Sequence, residues 1–222
     1  MKTTFKFTQL IIITCLSVFA STALADVSEA DLSGMTLAKD EKNLKIYVKP
    51  GADVSGYADF MLQSVDVSFD EKWLKRFNRD QGSLADRLKE KEVKEITERY
   101  GDKFKSTLAK TLESEGKATL TETASDNTLK VETSIVNLRI NAPDPMSGTN
   151  KTTMVRQVGE AELHTKMYDA KTGELVMVII DTKETRDHFD LIETNRVRNL
   201  YEFNPVYRAW AKNWLVGLSQ KS

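Results

Sequence analysis

The sequence predicts an α/β (α+β) two-layer sandwich: a mixed, mostly antiparallel sheet of four to six strands, with two main helices on one face. Three observations carry this. First, Gly159 to Thr185 reads as a hairpin. Ala161, Leu163, Thr165 and Met167 alternate with Glu160, Glu162, His164 and Lys166, the period of a strand with one wet face. Asp169 to Gly173 is a short polar link, and Leu175 to Ile180 is apolar at every position, as in a strand covered on both faces. Second, Val93, Ile96, Tyr100, Phe104, Leu108 and Leu112 recur in steps of three and four, which makes one apolar helical stripe over about Glu92 to Glu115. Third, Trp210, Trp214, Leu215 and Leu218 repeat that spacing near the end of the chain.

The remaining elements follow in order. Asp26 to Lys42 is polar, with Leu32, Met35 and Leu37 as its few anchors, and reads as a flexible leader. Leu44 to Val48 is a short strand stopped by Pro50-Gly51. Met61 to Phe69 is a strand, with Met61, Val65, Val67 and Phe69 facing one way and Leu62, Ser64, Asp66 and Ser68 the other. Trp73, Leu74 and Phe77 mark one or two helical turns packed under the sheet. Ser83 is a helix N-cap, Gly101 weakens or bends the long helix, and Gly116 caps its end. Ala118 to Thr121 is a short strand and Leu129 to Asn141 the longest. The apolar positions of the latter change phase from Leu129, Val131 and Ile135 to Val136, Leu138 and Ile140, as a β-bulge would produce. Residues 142–153 are a loop, Glu184 to Asn204 is a surface excursion, and Pro205 precedes the last helix. The strand from Met61, the long helix and the strand from Leu129 are long enough for a right-handed parallel crossover. Residues 43–222 are thus expected to form one α/β domain.

Residues 1–25 carry Lys2 and Lys6, an apolar run from Leu10 to Ala20 and an Ala23-Leu24-Ala25 end, the pattern of a cleaved signal peptide. The run is too short for a stable membrane helix, and no longer one follows. Cys15 lies inside the run, not at its end after a Leu-small-small triplet, so it does not fit lipid attachment. Cleavage after Ala25 would leave no cysteine and a net charge of −3, from 30 basic and 33 acidic residues. Disulfides, thiolate metal sites and a cysteine nucleophile are then excluded from the mature chain, and its charge offers no basic field for nucleic acid or anionic lipid. The expected location is the periplasm.

Glu160, Glu162 and His164 share one strand face, so a carboxylate–carboxylate–imidazole row is the candidate site, able in principle to hold a metal or move a proton. The simpler reading is a solvated face that Lys166 continues. Asp187, His188, Asp190 and Glu193 form a second acidic group whose spacing matches no familiar ligand loop. No nucleophile elbow, zinc-protease helix or phosphate-binding glycine loop is present, and no cofactor is expected.

Tyr47-Val48-Lys49-Pro50-Gly51-Ala52-Asp53, with Tyr57 and the strand Met61 to Val67, resembles the opening of a family of bacterial envelope lipoproteins catalogued as domain-of-unknown-function family 3313. Three further pieces agree in order and spacing: Asp126-Asn127-Thr128-Leu129-Lys130-Val131, Asp169-Ala170-Lys171-Thr172-Gly173-Glu174-Leu175, and Trp210-Ala211-Lys212. The resemblance spans about Asn43 to Leu218. It implies an exported envelope protein with an α/β domain and lends no catalytic residue. The missing lipid-attachment cysteine favours a free periplasmic form. Two functions are weighed: a non-catalytic module that binds an envelope protein or cell-wall component, which is preferred, and a hydrolase of envelope polymers built on dispersed Asp and Glu carboxylates.

Overall fold

The chain opens, in a computed structural model describing residues 26–143 and 153–220, with a helical turn, α1 (Glu29–Leu32), and two strands, β1 (Thr36–Glu41) and β2 (Leu44–Val48). The expected signal peptide, residues 1–25, and most of the expected 142–153 loop lie outside the described residues. β3 (Asp59–Phe69) leads through α2 (Glu71–Asp80) into the long helix α3 (Glu90–Glu115), then β4 (Thr119–Leu120) and β5 (Thr128–Ile140). After these come β6 (Thr153–Val155), β7 (Gly159–Asp169), β8 (Leu175–Glu184), β9 (Ile192–Thr194), α4 (Arg196–Glu202) and α5 (Asn204–Leu218).

Among the described residues the main sheet has seven strands, in the order β1-β2-β8-β7-β5-β3-β4, not four to six. β6 and β9 form a separate two-stranded sheet. The seventh strand of the main sheet is β1, inside the stretch expected to be a flexible leader. Thr36-Leu37-Ala38-Lys39-Asp40-Glu41 is too charged to read as a strand, yet charge is what an exposed edge strand carries. β3 and β5 pair in parallel, as a crossover through α3 requires, and β5, β7 and β8 form the antiparallel meander. β8 lies between β2 and β7, away from both edges, as its unbroken apolar run demands.

α3 and α5 pack together on one face of the sheet. Phe104, Leu108 and Leu112 of α3 and Tyr207, Trp210 and Trp214 of α5 are fully buried there, against Phe60, Leu129, Ile135 and Met177. Gly116 ends α3 in the left-handed region at φ 62, the C-cap its position implied. Phe69, Trp73 and Phe77 stack in series at 5.5 and 5.3 Å, so the aromatics of α2 pack inward.

Two irregularities adjust the strand faces. In β3 the register slips between Leu62 and Ser64, so Leu62 joins the core cluster and Met61 does not, the reverse of simple alternation. In β5 the slip between Val136 and Arg139 inserts one residue, the bulge the phase change anticipates, and Asn137 there has φ 54.

At Gly101, α3 packs against Val65 and Val67 of β3. A methyl group there would lie 3.4 Å from the Val65 carbonyl oxygen and 3.5 Å from Val67 Cγ2, ordinary contact distances. The helix therefore does not need a glycine for space. Gly101→Ala is expected to leave the unfolding free energy unchanged or raise it by up to about 1 kcal/mol, the helix-propensity difference. Urea denaturation reads this; a loss of similar size would show that α3 cannot yield at Val65.

Candidate functional site

β7 sends Ala161, Leu163, Thr165 and Met167 to the core, which leaves Glu160, Glu162, His164 and Lys166 on the face opposite the helices. That face is not simply wet. The N-terminal segment crosses it and leaves His164 only 9 % exposed. Asp26 Oδ1 lies 2.5 Å from His164 Nδ1, and Glu162 Oε1 meets Nε2 on the other side of the ring. Lys166 Nζ donates to the Asp26 carbonyl at 3.2 Å and sits 3.7 Å from Asp31 Oδ2. Asp31 in turn forms a capping box with Ser28 at the start of α1. Polar anchors hold this segment in place, which is why a count of its apolar residues reads it as loose.

The row does not converge as one triad. Glu160 turns away to Arg139, whose Nη1 donates to Glu160 Oε1 at 2.6 Å and whose Nη2 donates to Asp70 Oδ2 at 2.6 Å. The β5 bulge places Arg139 opposite Glu160 in the sheet register. Asp70 is also the N-cap of α2, where its Oδ1 accepts the Trp73 N–H at 2.7 Å. That backbone bond first, and Arg139 second, hold the Asp70 carboxyl below the usual carboxylate range. Glu162 is held low by its bond to His164, against the opposing effect of burial, and its Oε2 accepts from Thr182 Oγ1 at 2.8 Å. Burial pulls the His164 pKa down, but Glu162 and then Asp26 outweigh it, so the imidazole gains protons more readily than usual.

Two adjoining concavities open over these groups. One, of about 380 Å³, is lined by Asp70, Asn137, Arg139, Glu160 and Glu162 with Thr182. The other, of about 450 Å³, runs from Asp70 and Asn137 to His164 and Asp26. Asn137 and Asp70 belong to both, so the pair forms one polar bowl. Of its residues the sequence singled out Glu160, Glu162 and His164. Asp26, Asp70, Asn137, Arg139 and Thr182 were missed. The phase change in β5 signals Asn137 and Arg139 indirectly; nothing in the spacing joins Asp70 to Arg139 across 69 positions.

The second acidic group does not assemble. His188 Nε2 lies 3.2 Å from Glu202 Oε2, and Phe189 is 93 % exposed. Among the described residues no group of three or more His, Asp or Glu side chains is placed to hold a metal ion, and no helix is long and apolar enough to cross a membrane.

The His164 clamp has a defined pH dependence. A folded-state pKa above the ordinary histidine value of 6.5 gives stabilisation that is full below that value and is lost as pH rises through the folded pKa. The lowered Glu162 contributes above its ordinary 4.5 and loses this as pH falls through its folded pKa. The clamp is therefore strongest between the two ordinary values. The stability advantage of the native chain over His164→Gln is expected to shrink as pH rises from about 6 to 8. Urea midpoints for both proteins, with an NMR titration of the imidazole, test this; an advantage that stays constant with pH would contradict it.

Solved structures match this chain at low identity and low TM-score. The PelC dodecamer from Paraburkholderia phytofirmans matches in two crystal forms: a single-residue variant at 8 % identity and TM-score 0.40, and a second at 11 % and 0.38. Each covers 81 % of this chain and 99 % of the other. A PDZ domain protein from Parabacteroides distasonis matches at 12 % identity and TM-score 0.36, over 77 % of this chain and 35 % of that one. No curated protein matches the sequence. A family profile described as "Protein of unknown function (DUF3313)" matches residues 27–214, which confirms the resemblance carried by the Tyr47–Asp53 and Asp169–Leu175 motifs. The chain therefore belongs to the DUF3313 family of proteins of unknown function.

Proposed function

We propose that this is an exported bacterial envelope protein, released into the periplasm after Ala25, that acts by binding and not by covalent chemistry. The polar bowl is its contact surface, and a cell-wall component rich in hydroxyl and amide groups is its ligand. One observation carries this reading: Arg139 and His164 of the bowl are each already engaged by a pair of its carboxylates, which leaves it net negative. Asp70 and Glu160 share Arg139, and Glu162 and Asp26 share His164. What remains for a ligand is hydrogen bonding, led by the exposed Asn137 amide. A non-glycine residue at positive φ is a feature that recurs at binding sites.

Hydrolysis of an envelope polymer is the second reading, favoured by several carboxylates around one concavity. A two-carboxylate mechanism needs a general acid with a raised pKa. Asp70 and Glu162 are both shifted the other way. Asp181 is raised by burial, but it is fully buried on the helical side of the sheet, where Asn213 of α5 donates to it at 2.6 Å.

The test is calorimetric titration of the mature protein with purified soluble peptidoglycan fragments. Asn137→Gly keeps the backbone conformation accessible and removes the amide, so binding should fall at least fivefold with no change in melting temperature. Binding unaffected by this substitution would reject the bowl as the contact surface. Turnover of the fragments that disappears in Glu162→Gln would reject the binding-only reading. Cell fractionation with intact-mass analysis tests export and cleavage after Ala25.

A further inference from the structure

We infer that the groove between α3 and α5 is a second binding site, for a linear acidic polysaccharide. It lies on the helical layer, away from the polar bowl, and does not depend on that reading. The groove has a volume of about 360 Å³; Lys103 and Lys110 of α3 and Arg208 and Lys212 of α5 flank it, with Thr107 and Thr111 between. The one acid in its lining is Glu115, which pairs with Lys212 at 2.9 Å. Lys103 sits over the Tyr201 ring at 4.4 Å, which fixes the ammonium without neutralising it. Among the described residues Lys110 and Arg208 form no ion pair.

Three cations along one groove with no ion pair among the described residues are unexpected in a chain with more acidic than basic residues. Net charge does not reveal this, because acids and bases are segregated by the packing of two helices that are distant in sequence. Like charges so arranged focus a positive potential and attract an anion.

The spacing selects the ligand. Lys103 and Lys110 are seven residues apart, about 10 Å along the helix axis, and Arg208 and Lys212 are about 6 Å apart. The cations are thus spread along the groove and do not converge on a single phosphate, a pattern that suits a polymer with one negative charge per monomer. The lining carries no aliphatic side chain for an acyl chain or an amphipathic helix, and no free aromatic face for nucleic-acid bases. It does carry hydroxyls, from Ser106, Thr107, Thr111 and Ser114. At the N-terminal end of α5 is Asn204, whose Oδ1 is buried without a partner among the described residues, an acceptor that a rotated amide would offer to a sugar hydroxyl.

The experiment is calorimetric titration of the mature protein with a polygalacturonate oligomer, with neutral dextran, with monomeric galacturonate and with phosphatidylglycerol vesicles. Polygalacturonate should bind, with an affinity that falls steeply with added salt, while dextran and the monomer bind at least tenfold more weakly. The double variant Lys110→Glu/Arg208→Glu should lose at least tenfold in affinity and leave the thermal melt unchanged, since both side chains are exposed. Glu115→Gln, which frees Lys212, should tighten binding two- to fivefold. Lys94→Glu, a control on the same helix at a site outside the groove, should change it less than twofold. Equal binding of dextran, an unaffected double variant, or binding to the vesicles alone would each overturn the proposal.

Discussion

Replacing Trp214 with alanine is expected to destabilise the protein by about 3–5 kcal/mol, the cost of removing a large aromatic side chain from a core. Trp214 is fully buried and touches both the sheet and the neighbouring long helix. Its ring meets Phe60 of β3 edge-on at 5.3 Å and Phe104 of α3 at 6.1 Å. It therefore ties the C-terminal helix to the sheet and to the long helix at one point. Aromatic pairs of this geometry add about 0.5–1.5 kcal/mol beyond area burial. For a chain of this size the melting temperature should fall by roughly 6–20 °C. Trp214→Phe should cost much less. It keeps most of the ring contacts, and the indole Nε1 it removes is buried with no hydrogen-bond partner among the described residues, so no bond to them is lost with it. Urea and thermal denaturation of the two variants check both values. A Trp214→Ala loss below about 1 kcal/mol would mean that α5 is not part of the cooperative core.

Much of this core was legible because its signal is periodic and local. The stripe from Val93 to Leu112, the Trp210–Trp214 pair and the unbroken run in β8 each specify a covered face within a few residues. The parallel pairing of β3 with β5 follows from the length of chain between them. What was not legible depends on distant partners. β1 is a strand because β2 offers it a ladder, and its charged sequence gives no alternation. The slip at Leu62 is set by register against β5, which no reading of β3 alone reveals.

The candidate site divides along the same line. That Glu160, Glu162 and His164 share a face follows from the two-residue period of β7. That Glu160 serves Arg139 while Glu162 serves His164 does not follow, because Asp70, Arg139 and Asp26 come from three other parts of the chain. The basic groove was hidden for a related reason. Lys103 and Lys110 look like ordinary solvated positions until α5 brings Arg208 alongside.

Gly159→Ala should be the most damaging single-methyl substitution on the sheet, and the one that links the fold to the bowl. A methyl group on Gly159 would lie 2.0 Å from the Arg139 carbonyl oxygen, 3.1 Å from its carbon and 3.3 Å from Ile140 Cα. All three atoms belong to the β5 backbone, so no rotamer change relieves the clash. Gly217→Ala is the instructive contrast. Its methyl would meet Met177 Sδ at 2.6 Å and Cε at 3.1 Å, the flexible end of a side chain that can swing aside. About 3 kcal/mol or more is expected for Gly159→Ala, against about 1 kcal/mol for Gly217→Ala. The larger effect should also be local in its consequences. Gly159 pairs with Ile140 in the ladder, one step from the Arg139–Glu160 pair, and its N–H donates to Thr185 Oγ1 at 3.0 Å. Pushing β5 away from β7 there displaces Arg139 and Asn137 together. The backbone NMR signals of Asn137 and Arg139 should therefore shift in Gly159→Ala, and affinity at the bowl should fall with them. Equal tolerance of the two alanines would show that β7 does not hold the bulge at close range, and Arg139 would then need another explanation for its position between Asp70 and Glu160.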